Sequence, residues 1–297
     1  MKTRHFGQLL ALSALWGASF LFIRIAAPQL GPWVLAALRV ALATFTLAVL
    51  MRALRHAWPW QHWRLLLVIG LLSVAAPFML FAWAALRLPA GYSALLNTTA
   101  VLFGTLASAW FREDTLTARK LLGCLCGFLG VGLIVRLGPV PLDAATLAAA
   151  LACIAAAACY GMATPLMKRA TTKMEPLAIS AAIHVPALLM LLPGAAWTLP
   201  QAHFTPGAVG AVAALGIVTS GLAFWGHLRI IRHVGPVAAM SPAFMIPVFG
   251  VTWGHLFLGE ALSTGIFAGG ALVLLATALV TGFNPLRRRF GVTDPAP

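Results

Sequence analysis

From Pro176 to Leu228 the chain runs for 53 residues without an Asp, Glu, Lys or Arg. No water-soluble fold tolerates many such stretches, and this chain has several. Uncharged runs at 65–86, 88–111, 144–167, 233–259 and 261–286 each reach or exceed the roughly 20 residues that a helix needs to cross a bilayer core. Charged residues make up 9% of the chain, against about 25% in soluble domains, and 61% of it is hydrophobic. Lipid has to serve as its solvent. The sequence therefore predicts an all-α polytopic membrane protein.

The uncharged runs resolve into ten transmembrane helices, near 7–26, 32–53, 64–86, 91–111, 118–136, 145–167, 176–198, 207–228, 235–258 and 263–283. The first follows Met-Lys-Thr-Arg and has the outline of a secretory signal. Its Trp16-Gly17 centre and Arg24 are echoed in the sixth, so it counts as a span. The fifth has only 15 uncharged residues, between Lys120 and Arg136, whose long side chains can snorkel to the two interfaces.

One half of the chain repeats the other. At an offset of 147 residues, Pro89, Thr105, Glu113, Thr117 and Gly123 meet Pro236, Thr252, Glu260, Thr264 and Gly270. At an offset of 144, Gly17, Arg24 and Ala26 recur as Gly161, Lys168 and Ala170. Matches among non-aliphatic residues are hard to obtain by chance in a chain so rich in Ala and Leu. A five-helix unit at 7–137 is thus used again at 145–283, followed by a short basic tail at 284–297.

Of the 20 Lys and Arg residues, 16 fall at the N-terminus, in every second loop, or in the tail. Only Arg24, Arg87 and Arg136 fall on the other side, and Arg39 lies within a span. Excess Lys and Arg marks the cytoplasmic face, so both termini are expected inside, in a plasma (inner) membrane. The net charge of +14 is then a topological signal dispersed over short loops, and it does not indicate a nucleic-acid partner. Five spans per repeat also force the second repeat to start on the opposite side. The expected fold is a five-plus-five inverted repeat, the common architecture of secondary transporters, with its site near the midplane.

Trp16-Gly17, Arg39, the turns at Glu113 and Glu260, and the doubled five-span unit resemble the EamA-type branch of the drug/metabolite transporter superfamily. The likeness covers about residues 7–283. It implies a central cavity and the export of small metabolites, often amino acids. The second copy departs from the pattern: Tyr160 replaces Trp16, and His184 lies within one position of the place opposite Arg39.

Several chemistries are unsupported. There is no Gly-Lys dipeptide, hence no P-loop, and no loop is long enough to house a nucleotide domain. The six acidic residues leave no paired carboxylates deep in a span, and no His-Glu-x-x-His helix is present. No enzyme, cofactor or metal site is expected. Cys124, Cys126, Cys153 and Cys159 fall within spans and read as small packing residues. Small-xxx-small spacings at Gly123/Gly127 and Gly265/Gly269 fit packing within the monomer or a homodimer contact.

The candidate substrate-binding residues are Trp16, Arg39, Asn97, Thr98, Tyr160, Trp225 and Ser241. Arg39 sits about 10 Å inside its helix; it either snorkels outward or anchors a carboxylate. His184, His227 and His255 are the coupling candidates if protons drive transport, since no carboxylate is deep in the membrane; otherwise they are buried neutral groups. Glu113 and Glu260 read as structural caps for the helices that follow them. The expected cargo is a small anionic, zwitterionic or neutral-amphipathic molecule, because a permanent cation would want an intramembrane acid. An uptake permease and a non-transporting membrane scaffold or sensor are the alternatives.

Overall fold

The computed structural model describes residues 3–111, 117–137, 140–141, 143–226 and 241–281. Helices dominate these residues, as lipid demands, since a helix satisfies its own backbone N–H and C=O groups. Helix α1 (Thr3–Ala53) has two arms that meet at Gly31. There φ is 72° and ψ 160°, a conformation open to glycine, and Pro28 and Pro32 flank it. Next come α2 (Trp60–Ala84), α3 (Ala90–Asn97), α4 (Ala100–Trp110) and α5 (Ala118–Leu137). The remainder is α6 (Ala144–Thr171), α7 (Pro176–Thr198), α8 (Pro206–Gly226), α9 (Ser241–Leu258) and α10 (Thr264–Thr281). Helices α2, α6 and α8, the stretch Pro176–Gln201 that contains α7, and the long kinked run Leu10–Ala53 are each long and apolar enough to cross a membrane. Shorter apolar helices, Met245–Leu258 and Thr264–Ala276, accompany them.

Two helices, and the junction between two others, are irregular. Helix α2 widens into a π turn at Leu71–Ala75, just before Pro77. Proline has no N–H to donate and its ring crowds the preceding turn, so an extra residue there relieves both problems. Helix α8 has a longer π segment, Ala214–Leu222. Between α3 and α4 the Thr98 and Thr99 hydroxyls donate to the carbonyls of Leu95 and Leu96, three residues back, at 2.6 and 2.7 Å. These bonds divert acceptors from the helical ladder, and the helix breaks there.

Two crossings use the same device. An added Cβ on Gly17 would come within 2.6 Å of Phe249 Cβ and 3.0 Å of Gly250 N. One on Gly161 would come within 2.5 Å of Phe103 Cβ and 2.6 Å of Gly104 N. An aromatic-Gly pair on α1 or α6 thus meets a Phe-Gly pair on α9 or α4, and only glycine allows so close an approach. Gly127 packs on Leu102 and Ala276, and Gly269 on Gly130 and Ile134, so both glycines serve the contact between α5 and its neighbours α4 and α10.

Glu260 does not serve the helix that follows it. Its carboxylate accepts from the backbone N–H groups of Ala90 (2.6 Å) and Gly91 (3.2 Å), at the start of α3. Gly259, at φ 64°, turns the chain back, Glu260 N bonds Gly254 O, and His255 Nδ1 lies 2.9 Å from Glu260 O. Ser263 Oγ accepts the Ile266 N–H in the first turn of α10 instead. Glu113, His227 and the tail 284–297 lie outside the described residues.

Candidate functional site

The irregular segments border a cavity of about 260 Å³. Trp16, Ser19, Phe20, Ile23 and Arg39 line it from both arms of α1, and Ser73, Val74, Phe78 and Phe81 from α2. Asn97 of α3, Tyr160 of α6, His184 of α7, Ser220 and Phe224 of α8, and Ile246 of α9 complete the wall. The size lies just below the roughly 300–1,000 Å³ of pockets for drug-sized ligands, so a small molecule fits.

Among the described residues, Arg39 is the only charged side chain in this wall. It does not snorkel: only 7% of it is exposed. Its Nε donates to Ser220 Oγ at 2.9 Å, and its guanidinium carbon lies 3.6 Å from the centre of the Phe78 ring. A desolvated cation over an aromatic face gains about 2 kcal/mol, against a burial penalty of several kcal/mol. No carboxylate lines the cavity among the described residues, so none of them neutralises the charge. The guanidinium fork is built to take a carboxylate with two parallel hydrogen bonds.

The other lining groups are held from behind. Trp16 Nε1 donates to the carbonyl of Thr219, inside the π segment of α8. Ser73 Oγ donates to Ile69 O at 2.6 Å. His184 Nδ1 lies 2.7 Å from Ser180 O, and its ring meets Phe224 edge-on at 6.2 Å. Tyr160 stacks on Phe81, which in turn meets Phe20 edge-on.

Of the residues expected at a substrate site, Trp16, Arg39, Asn97 and Tyr160 therefore share one cavity, and His184 joins them. Thr98 is buried and spends its hydroxyl on Leu95 O, outside that wall. Trp225 packs beside Leu47, Met51 and Leu177. Ser241 opens α9, but its side chain lies outside the described residues. His255 is exposed and faces a separate apolar groove between α9 and α10. Ser73, Phe78, Ser220 and Phe224 are additions. Ser73 and Ser220 stand 147 residues apart, the offset of the repeat, and that signal alone identifies them as a pair.

An α-helical membrane protein with a cationic, aromatic-walled cavity of this size has the form expected of a small-molecule transporter. The chain belongs to the EamA-like transporter family, whose model matches residues 6–136 and again 147–282. It is 24% identical to an uncharacterized transporter of Archaeoglobus fulgidus over 265 residues, 89% of this chain and 94% of that one. It is 24% identical to a Streptantibioticus cattleyicolor protein named "Probable terminal-alkyne amino-acid exporter", covering 92% of each. Protein PecM of Dickeya dadantii is 26% identical, over 92% of this chain and 91% of that one. A solved crystal structure at 20% identity shares the fold with a TM-score of 0.66, covering 95% of this chain and 99% of the other.

Proposed function

We propose that this protein is a secondary exporter that carries a small carboxylate-bearing metabolite through the Arg39 cavity by alternating access. The observation that carries the reading is the Arg39 guanidinium, buried in a cavity wall without a carboxylate partner among the described residues. The remote relative named an amino-acid exporter makes an amino-acid-like carboxylate the first cargo to try.

Ten crossings arranged as two inverted five-helix repeats supply the mechanism. The arms of α1 count as the first two crossings, and α3 with α4 as the fourth. Three features support this arrangement: the doubled family match, the equivalent Gly17 and Gly161 crossings, and the π turns of α2 and α8 with Ser73 and Ser220 at the repeat offset. Antiparallel halves around a central site exchange access by rocking. The charge asymmetry of the loops supports cytoplasmic termini, which fits a protein of the plasma (inner) membrane. Of the two coupling candidates among the described residues, His184 and His255, His184 lines the cavity, so it is the coupling candidate there.

Counterflow of radiolabelled carboxylates in proteoliposomes tests the reading. Exchange that is lost in Arg39→Gln supports it. A protein that exchanges nothing is a scaffold or sensor, and net inward flux under a physiological gradient makes it an uptake permease.

A further inference from the structure

His184 tells more about the cargo than Arg39 does. Its Nδ1 lies 2.7 Å from the backbone carbonyl of Ser180, and a carbonyl can only accept. The Nδ1 atom therefore carries the hydrogen, and in the neutral ring Nε2 is left with a bare lone pair. Nε2 is buried and has no hydrogen-bond partner among the described residues. The residue is 1% exposed, its ring meets Phe224 edge-on, and the Nδ1 contact with Ser180 O sets which way the ring is turned. Buried acceptors are almost always paired, so one left bare in a cavity wall marks a place where something arrives. Asn97 Oδ1 is also buried and unpaired among the described residues, but an amide offers a donor as readily as an acceptor and so commits to neither. The imidazole does commit.

We infer that His184 Nε2 is a specificity-determining acceptor: the transported molecule carries, besides the carboxylate held by Arg39, an O–H or N–H donor that pairs with this nitrogen. The inference rests on the proposed role of Arg39. A hydroxy acid or an amino acid with an apolar body satisfies both ends of the cavity. A plain fatty or aryl acid satisfies only one and leaves Nε2 bare. Sites built around a substrate hydrogen bond reject the analogue lacking it, because a buried group then goes unpaired.

A matched pair of probes tests this. 3-Phenyllactate and 3-phenylpropionate share a carboxylate and a ring and differ by one hydroxyl. Their binding to the purified full-length protein is measured by calorimetry at about pH 8, above the ordinary imidazole range. The wild type should favour phenyllactate by about tenfold or more. His184→Leu should bind the two equally, whereas His184→Gln, which keeps an acceptor on the side chain, should retain part of the preference. Equal binding by the wild type overturns the inference, as does an undiminished preference in His184→Leu. If His184→Leu does not fold, the wild-type pair and His184→Gln still decide. Failure of Arg39 is distinguishable: if Arg39→Gln binds both probes as the wild type does, or if neither probe binds the wild type, the carboxylate anchor falls and this inference with it.

Discussion

The Glu260 carboxylate accepts the backbone N–H of Ala90 at 2.6 Å, across 170 residues of sequence. One turn at the end of α9 thus caps the start of α3, and the first and second halves of the chain are tied by a charge-assisted bond. An added Cβ on Gly254 would overlap that carboxylate, so glycine is required beneath it. Glu260→Ala should lower stability by about 1 kcal/mol, the usual cost of a lost cap, and Gly254→Ala should do the same by pushing the carboxylate away. Thermal melting of the detergent-solubilised protein measures both. Glu260→Gln should lose less, because the amide oxygen still accepts.

Arg39→Lys keeps the charge but loses the planar fork and the Nε bond to Ser220. Carboxylate affinity should fall about tenfold in Arg39→Lys and about a hundredfold in Arg39→Gln, with similar amounts of folded protein. Unchanged affinity in Arg39→Gln would remove this residue from the site.

The two glycine crossings should respond alike. Gly17→Ala and Gly161→Ala each force a methyl into backbone, at a cost of about 1–3 kcal/mol. Among the described residues nothing lies within 4 Å of a Cβ added to Gly132, so Gly132→Ala should be neutral or slightly stabilising. Melting temperatures of the three variants check this.

Asp143 caps α6 by accepting the Thr146 N–H at 2.7 Å, and that bond holds its carboxyl below the usual carboxylate range. A group with a lowered folded-state pKa stabilises the protein above its unfolded value and loses that effect as pH falls through the folded value. Stability should therefore decline on acidification through and below the ordinary carboxylate range, and Asp143→Asn should flatten this part of the profile. An unchanged profile in Asp143→Asn would assign the acid sensitivity to other groups.

Orientation is open to a direct test. A reporter fused after Arg289 should be active only in a cytoplasmic form, and one within 199–206 only in an exported form. The reverse at either point would sink the ten-crossing arrangement.

The helical membrane character was legible because lipid leaves a chain few choices, and uncharged runs state that plainly. Arg39 was legible as a charge where charge is expensive. Its partner Ser220 was harder to see: a serine in an apolar helix carries no local mark, and only its spacing from Ser73 singles it out. The π turns were not legible either, since Leu-Leu-Ser-Val-Ala at 71–75 reads as ordinary helix. Glu260 misleads because a carboxylate beside a helix start looks local, while Gly259 turns it toward α3.

The π turn of α2 also acts as a correction of phase. Counted as unbroken α-helix at about 100° per residue, Trp83 would point about 160° away from Leu67. The surplus residue at 71–75 takes about 100° off that angle and brings Trp83 back toward the side that carries Leu67. All of Leu67, Val68, Leu71 and Trp83 are in fact exposed on the surface, while Phe78 and Phe81 face the cavity. Deleting one residue from this turn would leave composition and length almost untouched, yet it would rotate the aromatic wall out of the cavity and into the lipid.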